Sequence, residues 1–164
     1  MSVDTLQKLL IDELKDLYSA ERQITKALPK IAKAATSPEL KEALQNHLEE
    51  TKGQVARLEK IGELLGKKMT GKTCAGMKGV LEEGSEVLED TEKGFVRDAA
   101  LISACQRVEH YEMAGYGSAR EFAKQLGLKE VADLLDETLT EEKNADKTLT
   151  GASKQINMQA KQEG

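Results

Sequence analysis

Glutamate interrupts the apolar positions of four helical segments in this sequence. In each segment, apolar residues recur at alternating spacings of four and three, which is typical of one face of an α-helix. Near the middle of each segment a glutamate breaks this pattern or lies beside it. The candidate residues are Glu21, His47, Glu50, Glu109, Glu112 and Glu142. Because a buried carboxylate without a partner is costly, helices that bring carboxylates to one depth indicate a shared cationic partner.

Two pairs of these residues have the spacing of a joint ligand site. His47 and Glu50 are three residues apart, as are Glu109 and Glu112, and this spacing places both side chains on one helix face. Fe(II) and Mn(II) prefer oxygen and imidazole ligands, and bridging carboxylates suit a pair of ions. The five glutamates would slightly exceed the charge of two divalent ions. We therefore predict a dinuclear Fe or Mn centre with these six residues as ligands.

Any one of these residues also has a less specific explanation. A single glutamate on an apolar face is usually partly exposed or part of an ion pair, but none of the four apolar faces contains lysine or arginine. A polar residue can also fix the register between helices, which would explain one or two positions and not all six. The set as a whole therefore favours metal binding.

Three further polar residues could also belong to the set of metal ligands. Gln54 and Asp146 each follow a core glutamate by four residues, where a histidine would complete a ligand pair. Each could be a weak ligand or a hydrogen-bond partner of a ligand. Glu141 precedes Glu142 and would replace it if the register were shifted by one residue.

Aromatic and sulfur side chains also lie near the glutamates. Tyr18 and Tyr116 are each one helical turn from a core glutamate, where they either fill the core or donate a hydrogen bond to a ligand. His110 follows Glu109 but points about 100° away around the helix, so a packing, interface or supporting role is expected. Cys105 is expected to be an inert core thiol.

Long helices must position these residues. Five helices are predicted, over residues 4–35, 38–65, 75–90, 95–126 and 129–158, followed by a frayed polar tail over residues 159–164. Asp4 is the expected N-cap of the first helix and Ser37 that of the second. Gly66 and Gly127 are expected to end the second and fourth helices. Residues 1–158 are therefore expected to form a single domain.

The lengths of the connections predict the topology. Short turns join the first helix to the second and the fourth to the fifth, so each pair should pack antiparallel. The connector over residues 66–94 carries the short third helix and is long enough to cross the bundle. One long crossover is typical of ferritin-like proteins. We therefore predict an all-α, ferritin-like four-helix bundle with one long crossover that carries an extra short helix.

The composition limits the classes of function. The chain of 164 residues is 32% charged and 3% aromatic, as in a helical bundle. The net charge is −5 and no basic stripe occurs, so nucleic-acid binding is not expected. No apolar run is long enough for a membrane span, and no signal peptide is evident. The two cysteines form no motif, which favours a reduced, cytoplasmic setting.

Several segments resemble the YciE/YciF family of bacterial ferritin-like stress proteins. They are residues 17–21 (LYSAE), 47–51 (HLEET), 96–101 (VRDAAL), 108–112 (VEHYE), 137–139 (ETL) and 141–143 (EEK). The resemblance covers nearly the whole chain except the tail. It implies a ferritin-like bundle, commonly a homodimer, that takes part in bacterial stress responses.

The wider ferritin-like superfamily includes rubrerythrins and manganese catalases, which bind a metal pair through glutamates and histidines. The carboxylates at matching positions in this chain are Glu21, Glu50, Glu109 or Glu112, and Glu142. The histidines differ, because His47 precedes Glu50 and the fifth helix contains none. The resemblance therefore implies a site rich in oxygen ligands.

Two functions follow from these features. The first is a stress-response protein whose Fe or Mn pair reacts with H2O2 or O2, as a peroxidase- or ferroxidase-like oxidoreductase. The second is a non-catalytic structural or partner-binding stress protein with a structural or vestigial metal site. Mineral iron storage has less support, because nothing in the sequence indicates a large closed shell.

Overall fold

The computed structural model describes residues 2–164, and all regular secondary structure in that part of the chain is α-helical. The helices are α1 (Leu6–Ala34), α2 (Pro38–Leu65), α3 (Ala75–Asp90), α4 (Phe95–Gln125) and α5 (Lys129–Glu163). The all-α prediction is confirmed, and both ends of α3 agree with it. Among the described residues, no helix combines the length and apolar character that a membrane crossing requires.

Four helices form a bundle, and α3 lies against its outside. α1 and α5 each pack against α2 and α4, while α3 contacts α1 and α4. Asp98, near the start of α4, accepts hydrogen bonds from the backbone N–H groups of Thr36 and Ser37 at 2.7 and 2.6 Å. Tyr116, further along α4, reaches Glu21 on α1. α4 therefore runs antiparallel to α1 and parallel to α2, as the predicted ferritin-like topology with one crossover requires.

Local signals set several helix ends. The hydroxyl of Ser37 accepts a hydrogen bond from the Leu40 N–H at the start of α2. Gly66 and Gly127 adopt left-handed conformations, with φ values of 62° and 70°. This conformation favours glycine and ends a helix. The predicted ends of α2 and α4 are therefore confirmed to within a residue.

The predicted cap of α1 is wrong. The helix begins at Leu6, and the residue before it, Thr5, is the N-cap. The Thr5 hydroxyl accepts a hydrogen bond from the Lys8 N–H at 3.2 Å. Asp4 instead forms an exposed ion pair with the Lys8 ammonium at 2.6 Å. Both residues can cap a helix, and the position of the first turn decides between them.

α5 extends further than predicted. The sequence places its end at residue 158 with a frayed tail over residues 159–164, but the helix continues to Glu163. The Glu163 carboxylate accepts hydrogen bonds from the backbone N–H groups of Phe95 and Val96 at the start of α4. This contact between distant parts of the chain gives the last turn of α5 a partner that no local signal reveals.

Two apolar clusters fill the bundle, one on each side of a polar layer. One cluster includes Ile24, Leu28, Leu40, Leu44, Leu101, Leu149 and Ile156. The other includes Leu10, Leu14, Leu58, Ile61, Tyr116 and Leu135. The polar layer consists of the buried residues Glu21, His47, Thr51, Gln54, Glu109, Glu112, Thr138 and Glu142. On each bundle helix, the residues of the polar layer lie at or beside the point where the sequence passes from one cluster to the other, so the layer crosses the middle of the bundle.

Candidate metal centre

Five of the six predicted ligands converge in two groups. His47, Glu109 and Glu142 each offer a ligand atom, and these three atoms lie within 4.8 Å of one another. We call this group the histidine triad. Glu21, Glu112 and Glu142 satisfy the same distance and form the carboxylate triad. Since Glu142 belongs to both triads, its carboxylate is placed where it could bridge two cations.

The triad side chains are buried, yet many of their polar atoms lack hydrogen-bond partners. Within the described residues these atoms are both oxygens of Glu112 and Glu142, one oxygen each of Glu21 and Glu109, and both ring nitrogens of His47. His47 Nε2 lies 3.0 Å from Glu109 Oε1, although the two atoms do not form a hydrogen bond. An unpaired buried polar group costs about 1–3 kcal/mol. The set therefore fits atoms that serve as ligands to cations.

Burial raises the pKa of three triad carboxyl groups. Loss of solvent raises the pKa of Glu21, Glu109 and Glu112 well above the usual value, and the nearby Glu142 carboxylate raises each of them further. Without a cation, burial therefore favours the protonated, neutral form of these carboxyl groups. A divalent ion would favour the ionised forms, because carboxyl groups bind metals after losing the proton.

Tyr116 supports the carboxylate triad. Its O–H donates a 2.6 Å hydrogen bond to Oε1 of Glu21, and burial raises the pKa of the phenol well above its usual range. The phenol is therefore a neutral donor. Tyr18, the other tyrosine near the glutamates, donates to Glu59 at 3.0 Å instead. From the sequence, each tyrosine could either fill the core or donate a hydrogen bond to a ligand. In the structure Tyr116 donates to a triad residue and Tyr18 does not.

Glu141 lies outside both triads. Arg57 donates to its two oxygens at 2.8 and 3.2 Å, and Gln54 Nε2 donates to it at 3.0 Å. Because an ionised carboxylate only accepts hydrogen bonds, the amide of Gln54 is oriented with Nε2 toward Glu141. The register therefore places Glu142, and not Glu141, among the triad residues, and the hydrogen-bond partner of Gln54 is Glu141.

Arg57 is a residue near the site that the sequence did not reveal. Its side chain is 14% exposed and donates to Thr138 at 2.6 Å and to Glu137 at 2.9 Å, as well as to Glu141. The sequence does contain one indication of such a residue, because Glu137 and Glu141 are one turn apart on α5 and could both pair with one basic side chain. Which basic residue of α2 faces them depends on how the two helices are rotated, and the sequence does not show this.

Glu50 and Asp146 do not join the triads. The side chain of Glu50 is 44% exposed, and its Oε2 lies 3.9 Å from His47 Nδ1. Asp146 faces the exposed His110, with 3.2 Å between Oδ1 and Nε2, and accepts a hydrogen bond from Gln106. Glu50 remains at the surface because it lies to one side of the inward face of α2.

A cavity of about 160 Å³ between α2 and α5 reaches the histidine triad. Its outer part is lined by the exposed residues Asn46, Glu50, Asn144 and Thr148, and its inner end by His47 and Glu109. A single water needs about 10–15 Å³ of such space. The cavity can therefore hold several waters or a small hydrated ion.

Cys105 is close to the site but offers no reactive group. It is a free, buried cysteine, and burial raises the pKa of its thiol to about 12. The thiol is therefore neutral at physiological pH, and the nucleophilic thiolate is not formed. This agrees with the prediction of an inert core thiol.

Comparison with known proteins gives the family. A family model described as "Domain of unknown function (DUF892)" matches residues 5–161. The chain belongs to the DUF892 family. Protein YciF of Escherichia coli (strain K12) is 48% identical over 151 residues, which cover 92% of this chain and 91% of YciF. The predicted membership in the YciE/YciF group is therefore confirmed.

Solved structures share the fold. The crystal structure of the E. coli stress protein YciF has a TM-score of 0.91 and 46% identity, over 94% of this chain and 98% of that chain. "YcfI, a putative structural protein from Rhodopseudomonas palustris" has a TM-score of 0.87 and 41% identity, over 92% and 97% of the two chains. A protein from Xanthomonas campestris pv. campestris has a TM-score of 0.75 at 22% identity over 94% of each chain, and shows the common fold alone.

Proposed function

We propose that this DUF892 protein binds two divalent Fe or Mn ions in its polar layer and uses them to react with H2O2 or O2. The observation that carries the proposal is the sharing of Glu142 by two buried triads whose ligand atoms largely lack other partners. Glu50, which the sequence suggested as a sixth ligand, is not needed to complete either triad.

The donor atoms of the triads fit two hard divalent ions. Four carboxylates balance the charge of two such ions, and His47 adds one neutral nitrogen. Oxygen and imidazole donors suit Fe and Mn better than soft metals. When bound, such a pair supplies the change of oxidation state that reduction of H2O2 or O2 requires.

The chain itself orients the donors and limits access to them. Tyr116 fixes one oxygen of Glu21, and apolar clusters on both sides of the polar layer exclude bulk water. The cavity of about 160 Å³ that ends at His47 and Glu109 is smaller than pockets for drug-sized ligands, which measure about 300–1,000 Å³. Access of this size suits a small oxidant and not a large organic substrate.

The same proposal assigns the protein to a bacterial stress response, and the description of YciF as a stress protein supports this. Homodimerisation stays a prediction based on the family resemblance. The cytoplasmic location likewise stays a prediction, based on two cysteines that are free in the structure.

A structural role is the second candidate function. α5 contributes no histidine, so the carboxylate triad contains only oxygen donors, and the description of YcfI names a structural role for that relative. In this case bound metal would cross-link the four bundle helices through the triads and stabilise them without turnover, and the surface would bind a partner.

Metal content and turnover distinguish the two functions. The protein would be purified without chelators or nickel columns, reconstituted anaerobically with Fe(II) or Mn(II), and analysed by elemental mass spectrometry. Glu112→Gln removes one ligand of the carboxylate triad, and Glu86→Gln makes the same change at an exposed position of α3. We expect about two ions per chain in the wild type and in Glu86→Gln, and fewer in Glu112→Gln.

The loaded protein would then be assayed for peroxide consumption and Fe(II) oxidation. Turnover faster than buffer, and lost in Glu112→Gln, would support the oxidoreductase. Two bound ions without turnover would favour the structural role. A wild-type protein that binds no metal would overturn the proposed centre.

A further inference from the structure

The cavity between α2 and α5 connects solvent with the histidine triad. We propose that divalent cations load through this cavity, and that Glu50 is the first carboxylate to bind them before they reach the triads. This inference rests on the proposed function, because it assigns a route to the same metal centre. It gives Glu50 a transient role in place of the permanent one expected from the sequence.

The outer part of the cavity is suited to cations. Glu50 and three neutral residues with side-chain oxygens, Asn46, Asn144 and Thr148, line it, and the described residues of its wall include no lysine or arginine. Hard divalent ions bind such oxygen donors. An exposed carboxylate at the mouth also raises the local concentration of cations. The lining therefore attracts a hydrated divalent ion and repels anions.

Donor atoms continue from the mouth to the inner end. Glu50 Oε2 lies 3.9 Å from His47 Nδ1, and His47 Nε2 lies 3.0 Å from Glu109 Oε1. The side chains of His47 and Glu109 are 8% and 2% exposed, and both ring nitrogens of His47 have no hydrogen-bond partner among the described residues. The imidazole thus stands between the carboxylate at the mouth and the carboxylate of the triad. An ion that moves inward can exchange its waters stepwise for protein ligands.

A second cavity also touches the histidine triad but cannot serve as the route. It measures about 10 Å³ and is lined mainly by apolar residues of α1, α3 and α4, including Ile24, Leu28 and Leu81. This is at most the space of one water, and a buried water needs two to four polar partners. A hydrated ion would lose its ligands there without replacement. Three larger surface cavities have no triad residue in their linings.

A transient role of Glu50 and a permanent one predict different effects on the rates and the affinity of metal binding. A residue that only assists passage lowers the barrier in both directions, so its loss slows loading and release by the same factor. The equilibrium affinity then stays unchanged. Loss of a permanent ligand, or of a partner that orients His47, would instead lower the affinity, by about 10- to 100-fold for an orienting partner.

The test uses Mn2+ and the full-length, metal-free protein. Uptake is followed by stopped flow with a metal-sensitive dye, release by mixing the loaded protein with excess chelator, and stoichiometry and affinity by equilibrium dialysis. Glu50→Gln should slow loading by about 10-fold, at the lower end of electrostatic steering effects. Because the affinity should stay unchanged, release should slow by the same factor. The control Glu86→Gln makes the same change of charge on exposed α3 and should behave as the wild type.

A second variant tests the route without changing Glu50. Asn144 is exposed and lines the mouth of the cavity, so Asn144→Lys places a positive charge there and should also slow loading. Raising the ionic strength should reduce both effects, because salt screens exposed charges.

Loading and release rates of Glu50→Gln that equal those of Glu86→Gln would overturn the inference alone. A lower affinity or a missing ion in Glu50→Gln would also overturn it, because Glu50 would then act permanently. A wild-type protein that takes up no Mn2+ or Fe(II) would overturn the proposed function itself. The two failures are therefore distinguishable.

Discussion

The phenolic O–H of Tyr116 on α4 donates a hydrogen bond of 2.6 Å to Oε1 of Glu21 on α1. Both side chains are fully buried, and Oε2 of Glu21 has no hydrogen-bond partner among the described residues. The phenol therefore holds one oxygen of the carboxylate and leaves the other available. In this way α4 orients the member of the carboxylate triad that α1 supplies.

Removal of this hydrogen bond should weaken one metal site. We expect Tyr116→Phe to lower the affinity of the carboxylate triad for Mn2+ by about 10-fold, as is common for partners of metal ligands. Calorimetric titration of the metal-free protein would measure this. Tyr18→Phe is the matched control, because Tyr18 donates to Glu59 and not to a triad residue. Equal affinities in the two variants would show that Tyr116 has no orienting role.

Glu141 and Glu142 are adjacent in sequence and should differ in effect. Both triads share Glu142, so Glu142→Gln should reduce the content of both ions, as measured by elemental mass spectrometry. Glu141 binds Arg57 and Gln54, so Glu141→Gln should retain two ions. Loss of its charge-assisted hydrogen bonds should lower the free energy of unfolding by about 1–3 kcal/mol, as measured by urea denaturation. The loss of an ion in Glu141→Gln would contradict the register described above.

The stability of the metal-free protein should fall as the pH rises. Burial raises the pKa of Glu21, Glu109 and Glu112 in the folded state, so the folded chain retains protons that the unfolded chain releases above about pH 4.5. Their contribution to stability is complete below the unfolded pKa and is lost as the pH rises toward the folded pKa. Above about pH 4.5, each group therefore makes the free energy of unfolding decrease as the pH rises.

Urea denaturation at several pH values would measure this trend. Glu112→Gln should show a weaker pH dependence, because its amide carries no titrating proton. Saturating Mn2+ should reverse the trend, since metal binding requires ionised carboxylates. A metal-free wild type whose stability increases over this range would argue against buried, protonated carboxyl groups.

Much of the fold followed from chemistry that is local in the sequence. The stops at Gly66 and Gly127 need only a glycine after the last turn. The inward direction of Glu21 and Glu142 follows from the helical period alone. These features depend on neighbours within one or two turns, so a single sequence contains the information.

The remaining features depend on how helices are rotated and shifted against one another. Glu50 lies beside the inward face of α2, and the packing of the neighbouring helices leaves it near the surface. Tyr116 was near Glu112 in sequence, yet its partner Glu21 is on another helix. Arg57 acquires its role only when α5 brings Glu141 opposite to it. An apolar repeat identifies the buried face of each helix, but it does not identify which residues of the other helices contact that face.

The last turn of α5 should stabilise the start of α4. The Glu163 carboxylate accepts hydrogen bonds from the Phe95 and Val96 N–H groups at 2.9–3.2 Å, while Gly94 provides no side-chain cap. A negative group is favourable at a helix N-terminus. We expect Glu163→Ala to lower the free energy of unfolding by about 0.5–1 kcal/mol, as typical for a lost cap, in urea denaturation of the metal-free protein. Gln162→Ala is the control on the same turn, and equal stability of the two variants would mean that the end of α5 is frayed, as the sequence suggested.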